Sequence, residues 1–299
     1  MEIGLGLAQY GRFASLDCVL LVAREAESLG FSSLWTGDRL MTPLEPKDRY
    51  PGGDGIPPAH REFLDPVAVL SVAAACTTRV RLGTSVLNGP WYPPALLARS
   101  LTTVDVLSGG RLCVGLGLGW SSDEYAAAGV PWTGRGARLD AVLDVLEAVW
   151  TTDPVSYRDE RWSIVPSHIF PKPVRRPPVY LAGFTPAALR RTGRRADGWL
   201  PASLPIPALT SMWAAVRRAA GEAGRDPDAL RVVLRCNPVI TGEPVDGSRV
   251  PRAGTVAQIA GYLAAAADAG VHEALVDLQL TARDAHHLLA LAEAVRAAL

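Results

Sequence analysis

The chain has 299 residues, 48% of them apolar, and its 30 Lys and Arg residues balance 30 Asp and Glu. That length admits one large α/β domain or two medium ones, with a sizeable core. Zero net charge argues against a nucleic-acid or membrane-surface partner, which brings a basic excess, and no apolar run approaches the length of a membrane span.

The opening "MEIGLGLAQY" enters a strand at once, with no basic region or cleavage site of a secretory signal, so a cytoplasmic protein is expected. Ser15 caps a helix whose apolar face carries Leu16, Val19, Leu20, Ala23, Ala26 and Leu29, closed by Gly30. "SSLWTG" reads as the second strand, and a Pro- and Gly-rich excursion follows from Leu40 to Leu64. Asp65 and Pro66 start the next helix as N-cap and N1, and "RVRLGTSVL" is the third strand. A helix from about Pro94 to Leu107 ends at Gly109 and Gly110, and the fourth strand lies in "GGRLCVGLGLGW". The next helix keeps Leu139, Val142, Leu143, Leu146, Val149 and Trp150 in register. A second excursion, Val155 to Pro177, contains "VSYRDERWSIV", which reads as a small hairpin. "PPVYLAG", "DGWLP", "RVVLRCNPVI" and "EALVDLQL" are strands five to eight. Thr185 caps the helix after strand 5, Thr255 and Gln258 form a capping box, and Thr281 starts the last helix.

Eight β–α units over this length describe a (β/α)8 TIM barrel, which commonly runs to about 250 residues. Its insertions follow strand 2 and precede strand 5, and a single domain over residues 1–299 is the economical reading. The four cysteines, Cys18, Cys76, Cys113 and Cys236, are widely spaced in apolar company and read as buried thiols, not as a disulfide or metal set.

Gly115, Gly117 and Gly119 raise the question of a dinucleotide fingerprint. That motif needs G-x-G-x-x-G opening a helix, and Trp120 stands where the third glycine belongs. On a barrel strand the three glycines share one face instead, leaving room either for close packing or for a flat ligand across the mouth.

Ligands and catalytic groups of such barrels sit at the C-terminal ends of the strands. Those ends offer Gln9, Asp38 with Arg39, Ser85 with Val86, Trp120 with Asp123, and Gly183 to Thr185. At Ala182, Gly183, Phe184 and Thr185 a strand ends, a glycine admits close approach, and a helix begins whose free N–H groups attract an anion, with Arg190 and Arg191 nearby. A plain strand-to-helix turn with a Thr cap explains the same residues.

In the order "AESLGFSSLWTGDR", "RVRLGTSVL", "LSGGRLCVGLGLGW", "RGARLDAVLDVLEAVWT", "PPVYLAGFTPAALRR" and "ADGWLP", the sequence resembles the luciferase-like flavin and deazaflavin oxidoreductases, most of all the branch that uses coenzyme F420. The resemblance implies hydride transfer between coenzyme F420 and a small organic substrate. The alternatives are an FMN-dependent monooxygenase and a flavin- or deazaflavin-binding protein without turnover. It implies a homodimer, and a cofactor ring backed by a non-proline cis peptide at Ser85–Val86, where an ordinary core strand is the other reading. It places Asp38 on the ring edge and Asp123 on the cofactor, although a helix-start Asp in solvent accounts for Asp123 equally. In that branch a His follows the Asp; here Arg39 replaces it, and arginine stays protonated, so charge stabilisation is expected of it instead of proton transfer. An Arg in a surface salt bridge is the competing reading. Trp120 stands where a sugar-phosphate-oxidising relative carries an acidic Glu, which puts that reaction in doubt. Gln9 is read as a substrate hydrogen-bond partner. The excursion "RYPGGDGIPPAHREF" reads as a lid that excludes water, with His60 either facing the mouth or solvated in the loop.

Overall fold

The computed structural model describes residues 1–299. Parallel strands β1 (Glu2–Gly6), β2 (Ser33–Thr36), β3 (Arg81–Thr84), β4 (Leu112–Gly117), β5 (Val179–Leu181), β6 (Gly198–Trp199), β7 (Arg231–Cys236) and β8 (Glu273–Val276) form a barrel. It closes through β1 on β8 and through β3 on β4. Around it run α1 (Leu16–Ser28), α2 (Pro66–Cys76), α3 (Pro94–Leu107), α4 (Arg135–Thr151), α5 (Pro186–Arg195), α6 (Ile206–Glu222), α7 (Val256–Asp268) and α8 (Ala285–Ala297). The protein is thus a (β/α)8 barrel. No helix is long and apolar enough to cross a membrane.

Helix starts follow from the side chains read in the sequence. Ser15, Asp65 and Thr185 each accept a backbone N–H of the first turn, and Thr255 with Gln258 closes a reciprocal capping box. The last helix differs: Asp284 is its cap, accepting from the His287 N–H. Thr281 instead donates to the Pro238 carbonyl and accepts from the Ile240 N–H, pinning the loop after β7. In α1, Leu16 is exposed and Val22 is buried in its place. All four cysteines are free, but Cys18 and Cys76 are only half-buried.

Two concentric cores result. The larger lies between strands and helices. The smaller fills the barrel with Trp35, Cys113, Tyr180, Leu200, Val233 and Leu275, and Val86 packs on top of it. The strand-4 glycines belong to this inner packing. A Cβ on Gly115 would collide with the Thr84 carbonyl, and one on Gly117 would lie 2.7 Å from Val86 Cγ2. Their role is close backbone approach between β3 and β4.

Three strands end earlier than the apolar runs suggest. β3 stops at Thr84, the Ser85–Val86 peptide is cis, and Leu87–Asn88 then pairs with Leu116 and Gly117. β7 stops before Pro238, which has no N–H to donate, and Val239–Ile240 pairs with Ala253–Gly254. β8 stops at Val276, and Asp277 and Gln279 turn their polar groups into the mouth. The chain between β2 and α2 has little regular structure beyond a 3-10 turn at Pro58–Arg61, and Val155–Arg158 pairs antiparallel with Ser163–Ser167.

Candidate active site

The C-terminal ends of the strands meet beneath the excursion 37–65. Gln9 is its clasp. The side-chain amide donates to the carbonyls of Gly37 at 2.8 Å and Leu64 at 2.9 Å, and its oxygen accepts the Gly37 N–H at 2.7 Å. One buried side chain thereby joins both ends of the excursion. Gln9, read as a substrate partner, here has its amide engaged by the backbone at both ends of the excursion.

Three consecutive residues of the short helix Ser122–Ala127 hold the lid from the other side. The Ser122 N–H donates to Asp48 at 2.7 Å. Asp123 accepts the Lys47 N–H at 3.0 Å and lies 3.3 Å from the Lys47 ammonium. Glu124 accepts the N–H groups of Leu40 at 2.8 Å and Met41 at 3.3 Å. Asp123, expected on the cofactor, has both its oxygens on Lys47 in this structure.

Asp38 is half-buried at the end of β2. Its Oδ2 accepts the Asn88 N–H at 2.9 Å and the Tyr92 hydroxyl at 3.1 Å. Burial pushes its carboxyl up to about 6, against the pull of those two donors. Arg39 follows it but is not a free cation. Nη2 lies 3.6 Å from Glu124 Oε2, the guanidinium stands 4.9 Å over the Trp120 ring, and the side chain is 6% exposed. Its Nη1 is buried without a partner.

Ser85 is buried, and its Oγ likewise has no partner. The Ser85 carbonyl accepts from Arg235 Nη1, whose Nη2 donates to Asp277 at 3.0 Å and whose Nε donates to Asn237 at 2.9 Å. Asp277 Oδ1 accepts the Tyr10 hydroxyl at 3.2 Å. Arg235 and Asp277 escaped the sequence reading. The signal was present: Arg235 after the apolar "VVL" and an aspartate inside "EALVDLQL" have to find partners if those segments lie in a barrel.

Gly183 sits at φ +143°, a conformation open to glycine, and its carbonyl accepts the Trp199 indole N–H at 3.0 Å. Ala182 is half-buried beside Gly117, Phe184 is exposed, and Thr185 caps α5. Arg191 points away and pairs with Asp140 at 2.8 Å, which leaves Arg190 as the exposed cation of the first turns.

His60 lies at the mouth. Its ring meets Tyr10 at 5.1 Å, Tyr50 at 5.9 Å and Phe63 at 5.9 Å, each edge-on, and Tyr50 meets Trp120 at 5.5 Å. Burial, aided by the Arg39 charge, lowers the imidazole to about 4, so it is neutral at pH 7. A groove of about 530 Å³ lies between α4 and α5, away from the strand ends. There Arg176 pairs with Glu147 and Asp197, and Arg195 with Asp140 and Asp144.

The profile of the luciferase-like monooxygenase family matches residues 3–287. An uncharacterised protein of Mycobacterium tuberculosis is 36% identical over 228 residues, covering 73% of this chain and 78% of its own. An F420-dependent glucose-6-phosphate dehydrogenase of Amycolatopsis mediterranei is 31% identical over 193 residues, 63% of this chain and 54% of its own. Among solved structures, an F420-dependent secondary alcohol dehydrogenase in complex with an F420–acetone adduct superimposes with a TM-score of 0.80 at 18% identity, covering 99% of this chain and 98% of that one. The chain belongs to the luciferase-like monooxygenase family, and its relatives include F420-dependent enzymes.

Proposed function

We propose that the protein transfers a hydride between coenzyme F420 and a small organic substrate at the C-terminal mouth of its barrel. The observation that carries this reading is the gathering there of polar atoms the fold leaves unanswered: Ser85 Oγ, Arg39 Nη1 and His60 Nδ1. Native proteins satisfy nearly all buried polar groups, and three of the protein's eight exceptions fall at the strand ends, which supports a ligand position there. The residues present fit a deazaflavin. Ser85 and Val86 form a wall over the inner core, Asp38 offers a carboxyl acceptor beside it, and the open start of α5 at Ala182, Gly183, Phe184 and Thr185 suits a phosphate. When bound, the cofactor supplies two-electron hydride chemistry.

The chain's own residues supply the setting. Arg235 fixes the wall by its hold on the Ser85 carbonyl, and Asp277 fixes Arg235. The lid, joined at both ends by Gln9, keeps water from the mouth. Arg39 places a permanent positive charge beside the substrate position. The active unit in this reading is a homodimer, which light scattering on the purified chain checks.

Fluorescence-quench titration separates this reading from its rivals. F420 should bind with micromolar or tighter affinity, and FMN more weakly. Tighter FMN binding turns the reading to the monooxygenase alternative. Gly183→Val places a side chain on a φ of +143° with its Cβ 2.6 Å from Ala188 Cβ, and should weaken F420 at least tenfold. Unchanged affinity in a folded Gly183→Val protein removes that strap from the cofactor site.

A further inference from the structure

Two of the unanswered atoms at the mouth lie outside the cofactor contacts just assigned. Arg39 Nη1 and His60 Nδ1 are buried and unpartnered. They are near neighbours electrostatically: after burial itself, the Arg39 charge does most to keep the His60 ring neutral. Both are held in place. Glu124 faces Nη2 of Arg39 at 3.6 Å and Trp120 supports the guanidinium plane, and the buried Nη1 is left without a partner. His60 is boxed edge-on by Tyr10, Tyr50 and Phe63, and its backbone carbonyl accepts the Thr42 hydroxyl at 2.7 Å. Tyr50 touches both His60 and Trp120, so flat aromatic faces border the two groups.

We infer that Arg39 and His60 form a two-point site for a carboxylate or enolate oxygen carried on a flat, unsaturated organic substrate. The inference rests on the oxidoreductase reading for its purpose but not for its geometry. One guanidinium edge and one neutral imidazole, in the tautomer that carries its proton on Nδ1, answer one or two oxygens and a single negative charge. A phosphate would call for a second cation, and Arg235 is already committed to Ser85, Asn237 and Asp277. Aromatic walls suit a ring lying edge- or face-on to them. The other charged groups bearing on His60 are Asp277, which favours its protonation, and Arg235, which opposes it. An anion seated beside Arg39 offsets the arginine's effect on His60. Binding therefore raises the imidazole's affinity for a proton, and by linkage a lower pH tightens binding.

The test uses the full chain, with benzoate as probe and benzyl alcohol as its uncharged counterpart. The readouts are the imidazole nitrogen signals of His60, assigned with His60→Gln, and tryptophan fluorescence. Benzoate should move the His60 signals and raise its titration midpoint by about one unit, and benzyl alcohol should bind at least tenfold more weakly. Arg39→Met should weaken benzoate at least tenfold. Arg39→Lys keeps a charge for Glu124 and should weaken benzoate about threefold by losing the planar fork, its fold checked by circular dichroism. Unmoved His60 signals at saturating benzoate, or full affinity in Arg39→Lys, overturn the inference. F420 titration of the same samples keeps the two readings apart. Failure of F420 with an intact benzoate response removes the cofactor reading alone, and the reverse removes the oxygen site alone.

Discussion

The two ends of the barrel handle buried charge in opposite ways. At the base, Glu273 is 3% exposed and accepts from Ser33, from the Trp35 indole at 3.1 Å and from Arg81 at 2.6 Å, while Glu2 bridges Arg81 and Arg231 at 2.7 Å each. None of these side chains has a buried polar atom left without a partner. At the mouth, Arg39, His60 and Ser85 each have one, and the Asp38 carboxyl is pushed up to about 6. The same closed sheet carries both ends, so backbone geometry does not explain the difference. The network of Glu2, Ser33, Arg81, Arg231 and Glu273 is closed on itself, with Asp105 Oδ1 beside the start of β4 as the exception at that end, whereas the mouth keeps three unpartnered atoms.

The largest effect should come from breaking the finished end. Arg81→Met strands Glu273 and removes one of the two arginines on Glu2. It should lower stability by about 3–5 kcal/mol in urea unfolding, the range for a buried ion pair that loses one partner. F420 affinity of the folded fraction should stay as in the wild type. A loss below about 1 kcal/mol would mean that the base network is not what holds that end.

Asp38→Asn should do the reverse, by about 1–3 kcal/mol. The folded pKa of Asp38 lies above its unfolded value of 3.8, at about 6. The unfolded chain therefore releases this proton first, and Asp38 costs stability progressively as pH rises from about 4 to 6, fully above that. An amide keeps an oxygen for Asn88 and Tyr92 without the charge. The variant should be more stable than wild type at pH 7.5 and equal to it near pH 3.5, while F420 binding weakens. A stability difference that does not change with pH would remove the carboxyl's charge as its cause.

The smallest effects give the sharpest contrast, because the substitution is identical at both ends. Ser33→Ala deprives Glu273 and the Trp35 indole of a partner and should cost about 1–2 kcal/mol. Ser85→Ala removes an oxygen that bonds to nothing and should leave stability within about 1 kcal/mol of wild type or raise it, with weaker F420 binding as the only loss. Equal destabilisation by the two changes would erase the distinction between the ends.

Strand order and all but the last of the helix caps read were legible in the sequence, because short apolar runs, Asp-Pro and Thr-Pro caps and a capping box are local signals. Partners were not, because they come from far along the chain. Gln9 and Asp123 sit where a ligand contact is expected, yet Gly37, Leu64 and Lys47 claim them. Arg39 shows the mixed case: both a salt bridge and a free edge are present, and only packing against Trp120 and Glu124 says which nitrogen is which. The apolar look of "EALVDLQL" hid the turn at Asp277, since alternation alone does not mark where a strand stops being a strand.

The stitching of the lid sets terms for engineering. Ser122, Asp123 and Glu124 hold Asp48, Lys47 and the Leu40–Met41 backbone in turn, and Glu124 also holds Arg39. A graft that imports another family member's excursion alone would face these three residues with strangers, leaving Glu124 buried opposite backbone it does not fit. Residues 37–65 and 120–124, though distant in sequence, are stitched to each other by these contacts. A library built to change what this barrel accepts should therefore vary the two segments together, with Gln9 kept as the fixed hinge pin between them.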